Sequence, residues 1–406
     1  MSMNAQLTPL EDALAILLSN LTPLADTECV SLLQAPGRIL AQDLLAPVDV
    51  PPSDNSAMDG YAVRVADLHE APSLLPVSQR IAAGYVGQPL KPGSVARIFT
   101  GAALPPGADA VVMQENTERQ GQDVRVLKSA AIGEHVRKRG EDIRKGSVLF
   151  TAGHRIRVQD MHVLSASGMA ELSVRKSLRV AILTTGDELV RPGTSLKSGQ
   201  IYNSNYYVLA SLLSRLGVQV LDFGVVGDLL EDTMECLEKA AGQADCIVSS
   251  GGVSVGEEDH VKAAVEQLGG IELWKLAVKP GKPFAYGQVK GKPFFGLPGN
   301  PVSAFVTFVL LVRPAVLKLM GASIIKPIGF RLPVNFSCSS QERQEFLRVK
   351  LATEGEEAGG LQLYDNQSSG AGSSLSEADG LAVLPPFTSV EHGDMLEFIP
   401  LDVLTA

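Results

Sequence analysis

From residue 179 to 320, short apolar runs alternate with segments whose apolar positions recur at helical spacing. Arg179–Thr184, Gln219–Val225, Asp245–Ser250, Ile271–Leu276 and Pro293–Leu297 have the length and composition of strands buried on both faces. Tyr206–Leu216, Leu230–Ala241, Val261–Leu268 and Val302–Met320 carry the helical period between and after them. Alternation of this kind predicts a parallel sheet covered by helices on both sides. Upstream the pattern is different. Thr8-Pro9-Leu10-Glu11 reads as a capping box with proline at the first helical position, opening a helix through about Leu18. A second helical piece at Ser31–Leu33 is punctuated by Ala35-Pro36-Gly37. From Asp54 to about Gly146, short strands lie between glycine and proline turns, at Tyr61–Val65, Ser94–Ile98, Ala110–Met113 and Val124–Leu127. Mixed character resumes at Lys145–Arg157 and the helix-like Gln159–Ser167, so the β module reads as an insertion. After Lys326-Pro327 the helical patterns vanish. Arg331–Phe336, Phe346–Ala352, Leu361–Tyr364, Leu381–Leu384 and Met395–Ile399 predict a small β-barrel or sandwich.

The expected architecture is multidomain α/β plus β. Residues 7–46 and 147–176 form a mixed N-terminal domain, 47–146 the inserted β module, 177–326 the central parallel-sheet domain, and 327–406 a C-terminal β-barrel. A chain of 406 residues has room for about two to four domains, so this division fits its length. The net charge of -10 excludes broad binding to nucleic acid or anionic membrane and requires any anionic ligand to be met by local basic clusters. Cys29, Cys236, Cys246 and Cys338 have no paired or metal-ligand spacing and read as free thiols of a cytoplasmic protein. No secretory signal is visible in Met1–Leu10. The run Val302–Val312 is too short to span a bilayer and stops at Arg313-Pro314, so it reads as a core helix.

In an open α/β sheet, ligands gather at the carboxyl ends of strands, and three such loops here are polar in complementary ways. Thr184-Thr185-Gly186-Asp187-Glu188 follows the first strand. Ser249–Gly256 follows the third and holds Ser250, Gly251, Gly252, Ser254 and Gly256 ahead of a helix, an arrangement suited to a phosphate. Glu257, Glu258 and Asp259 then put carboxylates beside that phosphate, which calls for a divalent cation, Mg²⁺ by its chemistry. The alternative is an ordinary helix start, where acids are favoured anyway. Pro298-Gly299-Asn300-Pro301-Val302-Ser303 follows the last strand, with Asn300 suited to an N-cap and Pro301 to the first helical position. Asp228 ends a further strand and reads either as a ligand or as a helix start. Lys275, Lys279 and Lys282, set among Pro280, Gly281 and Pro283, make a basic edge able to hold an oxyanion, or a solvated turn. Two clusters in the β module, Asp54–Ala62 and Arg137–Asp142, read alone as hairpin tips.

Taken in order, these motifs resemble the molybdopterin molybdenumtransferases, the family to which the E domain of gephyrin is similar. The resemblance runs from about Leu7 to Pro400. It rests on P-P-S-D-N-S-A-M-D-G-Y-A at 51–62, T-G-A at 100–102, R-x-x-G-E-D at 137–142, T-T-G-D-E-L at 184–189, S-G-G-V-S-V-G-x-x-D at 250–259, K-P-G-K-P at 279–283 and P-G-N-P-V-S at 298–303. Ser53 stands where the family usually has phenylalanine. The resemblance implies an elongated homodimer in which the α/β domain of one subunit meets the β module of the other, so that Asp59, Thr100, Arg137 and Asp142 join the sheet loops. It implies an enzyme that takes adenylylated molybdopterin and molybdate as substrates and releases AMP, with molybdopterin adenylyltransferase as the upstream partner. Asp59, Asp142, Glu188, Asp228 and Asp259 are then candidates to hold Mg²⁺ or orient water, with Asp59, Glu188 and Asp259 as the metal ligands. Thr185, Gly186 and the Gly/Ser and Pro/Gly/Asn loops would hold pterin and phosphates, and Lys275, Lys279, Lys282, Arg137 and Arg348 would offset charge. Arg348 and Ser369 fall where family members have a molybdate-linked arginine and serine. Two rivals stay open: a pyrophosphatase acting on another nucleotide, which needs only the sheet loops, and a non-catalytic scaffold.

Overall fold

The computed structural model describes residues 7–68, 71–227, 229–252, 260–353 and 359–405. Its centre is a six-stranded sheet: β1 (Arg179–Thr185), β2 (Gln219–Val226), β3 (Cys246–Ser250), β4 (Gly269–Lys275), β5 (Pro283–Val289) and β6 (Lys292–Leu297), in the order β2-β1-β3-β6-β5-β4. The run β2-β1-β3-β6 is parallel, as the apolar runs predict. β5 is antiparallel to both its neighbours, so the sheet is mixed, not purely parallel. The cause is a two-residue hairpin: Lys290 and Gly291 both take positive φ, +49° and +78°, which turns the chain straight back between Val289 and Lys292.

Alternate residues of β1 feed opposite cores. Val180 and Ile182 pack with Leu209 and Leu213 of α1 (Ser204–Arg215) and with Phe305 and Val309. Ala181 and Leu183 pack with Leu237 and Ala240 of α2 (Leu230–Gln243) and with Val261 and Val265 of α3 (His260–Leu268). Because β2 and β3 flank β1 on opposite sides, the strand order reverses there, leaving a crevice at the carboxyl ends of β1 and β3.

The helix Pro301–Leu319 is, by length and composition, long and apolar enough to cross a bilayer, but 94% of its most apolar window is buried inside the protein. The apolar run ends at Arg313-Pro314, but the helix does not, as the helical period over Val302–Met320 predicts. A wide π turn at Phe308–Val312 loosens the hydrogen-bond ladder ahead of the proline, and the helix continues through Arg313–Leu319. Arg313 is buried, and its guanidinium donates to the carbonyls of Ile325 (3.4 Å) and Val403 (3.3 Å).

Around this core, Thr27–Ser31 pairs with Glu171–Arg175 and Leu44–Leu45 with Val148–Phe150, drawing the two ends of the N-terminal region together. The β module between them is a six-stranded sheet that includes Ser73–Ile81, a strand absent from the sequence reading. At the C-terminus, Gln344–Leu351, Gly380–Leu384, Met395–Pro400 and Phe330–Pro333 form a sheet that Val278–Lys279 joins at one edge, with Leu361–Leu363 paired to Gln344–Leu351. Cys338–Ser339 and Ser389–Val390 make a separate pair. The capping box does not form. Thr8 instead donates its N–H to the Lys275 carbonyl (2.8 Å) and accepts from Ala277 (2.7 Å), and Pro9 takes the cap position of the helix Leu10–Ser19.

Candidate active site

A cavity of about 750 Å³ opens at the carboxyl ends of β1, β3 and β6. The three expected loops meet in it. The first contributes Thr185, Gly186 and Glu188, the second Ser250, Gly251 and Gly252, and the third Pro298, Gly299, Asn300, Pro301 and Ser303. Two glycines are required by geometry. Gly186 has φ +138°, and a Cβ there would run into the Glu188 carboxylate. Gly251 has φ +94°, and its Cβ would sit 2.7 Å from the Thr185 carbonyl oxygen. Two asparagines that sequence reasoning passed over tie the loops together. Asn205 donates to Ser250 Oγ (2.9 Å) and to the Gly299 carbonyl (2.8 Å), while Ser250 Oγ donates to the Pro298 carbonyl (3.2 Å). Asn203 caps α1 by accepting from the Tyr206 N–H (3.2 Å), and its amide donates to Thr184 Oγ1 (2.8 Å). The signal was present as the polar stretch Asn203-Ser204-Asn205 before a helix. Asn300 occupies the N-cap and Pro301 the first turn, as expected, yet the Asn300 side chain makes no capping bond. It is left for the cavity it lines.

The basic edge lies apart from this lining. Lys275, Lys279 and Lys282 are absent from it, although Pro283 contributes. Lys279 is engaged: its ammonium lies 3.1 Å from both carboxylate oxygens of Glu345. Lys275 is half-buried at the end of β4, and Lys282 is exposed. Arg348 departs furthest from expectation. It is 1% exposed, and its guanidinium donates to Ser374 Oγ (3.2 Å) and to the carbonyls of Asn366 (3.2 Å) and Ser368 (3.1 Å). Burial lowers its pKa. It is a buried brace for the loop 366–371, not a cation open to solvent. Ser369 in that loop accepts from the Val302 N–H at 3.0 Å, and Gly370 reaches the cavity lining.

The β-module motifs converge on one another, away from this cavity. Asn55 and Ser56 pair with Arg137 and Val136, and Asn55 also bridges Ala103. Asp59 accepts from both the N–H and the hydroxyl of Thr100, each at 2.8 Å. Those two bonds, the N–H first, hold its carboxyl below the usual aspartate range. Asp54 accepts from Lys138 Nζ (2.9 Å) and the Arg139 N–H (2.8 Å). Arg137 and Asp142 are exposed. The described lining of the cavity includes no residue of 47–146. Asp228, Ser254, Gly256 and Asp259 lie outside the described residues.

Three stretches match family descriptions in order: residues 8–168 the "MoeA N-terminal region (domain I and II)", 181–318 the "Probable molybdopterin binding domain", and 331–401 the "MoeA C-terminal region (domain IV)". The molybdopterin molybdenumtransferase of Haemophilus influenzae is 41% identical over 77% of this chain and 78% of its own. The chain belongs to the molybdopterin molybdenumtransferases. The Nostoc enzyme of the same name is 39% identical over 89% of this chain and 85% of its own. A molybdopterin biosynthesis protein of Pyrococcus horikoshii OT3 is 31% identical and superposes over 97% of this chain and all of its own, with a TM-score of 0.85. As a molybdopterin molybdenumtransferase, the chain is an enzyme of molybdenum cofactor biosynthesis.

In this molybdenumtransferase, no group of three or more His, Cys, Asp or Glu side chains gathers to hold a metal among the described residues. The cavity offers oxygen donors instead: the Glu188 carboxylate, the Thr185, Ser250 and Ser303 hydroxyls and the Asn300 amide. That set fits Mg²⁺, a hard cation that takes one or two carboxylates and keeps the rest of its shell for water and substrate phosphate.

Proposed function

We propose that the enzyme takes adenylylated molybdopterin and molybdate, cleaves the phosphoanhydride, and leaves molybdenum on the dithiolene with AMP released, at a cleft shared between two copies. The observation that carries this reading is the division of the site. The cavity has glycine backbone, hydroxyls and amides suited to phosphate and pterin, but Glu188 is the single charged side chain in its described lining. The complementary charges, Asp59, Arg137 and Asp142, lie in the β module, outside that described lining. Exposed Ile201 and Tyr202 at the cavity and Tyr207 on the adjoining helix give a second copy an apolar surface to cover.

In the reaction, Gly251, Gly252 and Asn300 hold the anionic ligand, and Ser250, fixed by Asn205, keeps two loops in register. Closure by the partner's β module excludes water and brings Asp59, Thr100, Arg137 and Asp142 to the ligand. Lys275 and Lys282 add long-range positive charge to an otherwise acidic chain. Mg²⁺, held by Glu188 together with Asp59 and Asp259, would neutralise charge on the phosphoanhydride. The upstream partner is the enzyme that supplies adenylylated molybdopterin, a molybdopterin adenylyltransferase.

Complementation in trans tests the shared cleft. Asp59→Asn and Glu188→Gln chains are each inactive alone, and mixing them restores one complete site in each mixed dimer. A mixture no more active than either parent, in a preparation shown to exchange subunits, overturns the reading.

A further inference from the structure

The β-module sheet carries a second feature beside Asp59. In the parallel pairing of Ser73–Ile81 with Val95–Ile98, Arg80 lies directly opposite Arg97. Paired positions share a face, so two guanidiniums stand side by side, an arrangement that is unfavourable unless something negative or polarisable intervenes. Phe99, two residues beyond Arg97, lies under both. The Arg80 Cζ is 4.5 Å and the Arg97 Cζ 4.7 Å from its ring centroid. The two arginines are held differently. Arg97 donates to the Gly60 carbonyl (3.1 Å) and to Gln114 Oε1 (2.7 Å), and its Cζ also lies 5.3 Å from the centroid of the Tyr61 ring. Arg80 is exposed, and its side chain makes no hydrogen bond or ion pair among the described residues. A guanidinium stacked on an aromatic ring uses its face, which leaves the N–H fork along its edge for a ligand. Thr100, the next residue after Phe99, bonds Asp59. The platform therefore adjoins the acidic part of the site.

We propose that Arg80, held over the Phe99 ring beside Arg97, is a subsite for a tetrahedral oxyanion, the phosphate of the adenylylated substrate. The assignment rests on the substrate reading above and adds to it a residue that the motifs do not contain. The phosphoanhydride carries one negative charge on each of its two phosphates, which two adjacent cations suit better than they suit a single carboxylate, and the fork of Arg80 gives it paired donors. A lysine at position 80 would keep the charge and lose the planar fork.

The test is calorimetric titration of the full chain with AMP, adenosine and molybdate, for the wild type, Arg80→Gln and Arg80→Lys, with a melting temperature for each. We expect Arg80→Gln to weaken AMP binding about tenfold, the loss of one charge-assisted bond. Adenosine and molybdate binding and the melting temperature should stay unchanged, and Arg80→Lys should fall between. If the wild type binds AMP and Arg80→Gln binds it equally well, the subsite is wrong and the substrate reading stands. Equal losses for AMP and adenosine indicate packing and overturn the subsite. A loss confined to molybdate overturns its assignment to phosphate. A wild type that binds no AMP overturns the subsite and the substrate reading together.

Discussion

Arg348 gives the sharpest test of how the C-terminal domain serves the cavity. Its guanidinium makes three bonds to the loop 366–371 and the short helix behind it, and Ser369 in that loop accepts the Val302 N–H beside Asn300 and Pro301. A bond from a charged donor contributes about 1.5–3 kcal/mol net, and an acceptor left buried without a partner costs about 1–3 kcal/mol. Removing the guanidinium also relieves its own desolvation, which offsets part of the loss. For Arg348→Gln, whose amide can reach one of the three acceptors, we expect the loop to loosen by about 3 kcal/mol. Exchange of the Val302 amide, measured by deuterium uptake in the peptide over 300–304, should then speed up by about a hundredfold through local opening. Arg348→Lys keeps the charge but not the fork, and should resemble Arg348→Gln. An arginine that met molybdate through its charge would behave otherwise. Normal protection at Val302 with impaired molybdate binding, or full rescue by lysine, refutes the bracing role.

Gly186→Ala should abolish turnover while lowering the melting temperature only slightly, because φ +138° disfavours a side chain and the new Cβ displaces the Glu188 carboxylate; kinetics and a melting curve on the same variant decide it, and near-normal turnover would contradict it. Asp160 is buried, which alone would raise its pKa, but bonds from Arg157 and His154 outweigh that and bring it from 3.8 to about 2. The folded value is the depressed one, so its contribution of about 2 kcal/mol is fully present above the unfolded value near pH 4 and is lost as pH falls through about 2. Asp160→Asn should therefore destabilise the N-terminal domain at neutral pH and by progressively less on acidification, and a destabilisation independent of pH would argue against the ion pair. Turnover should cease in EDTA and return with Mg²⁺, with Glu188→Gln needing more of the ion; full activity in EDTA would remove the cation from the site.

The sequence was most informative where burial is two-sided. β1 and β3 are runs of apolar residues with a polar loop at one end, and the structure places those loops around one cavity. Where a strand has polar or mixed faces, that signal fades. Ser73–Ile81 alternates half-buried and exposed positions and contains Pro76, so its period is hidden. β5 was hidden for another reason: its hairpin uses Lys290 at positive φ, where asparagine or glycine would have announced the turn. Long-range pairing was also illegible. Nothing near Lys279 in sequence reveals that Glu345 neutralises it, and nothing near Arg348 reveals its burial, since Phe346–Val349 is buried on both faces without alternation. The two β-module clusters, Asp54–Ala62 and Arg137–Asp142, each look like a hairpin tip alone. Pairing across some eighty residues, Asn55 with Arg137, makes them one cluster.

The central claim is that this site couples phosphoanhydride cleavage to molybdenum insertion. The direct measurement is AMP release from adenylylated molybdopterin by the purified enzyme with Mg²⁺, with and without molybdate. We expect release that depends on molybdate, with one AMP for each molybdenum placed on the dithiolene. AMP released at the same rate without molybdate would identify a pyrophosphatase, no AMP under either condition would identify a scaffold, and either result would contradict the claim.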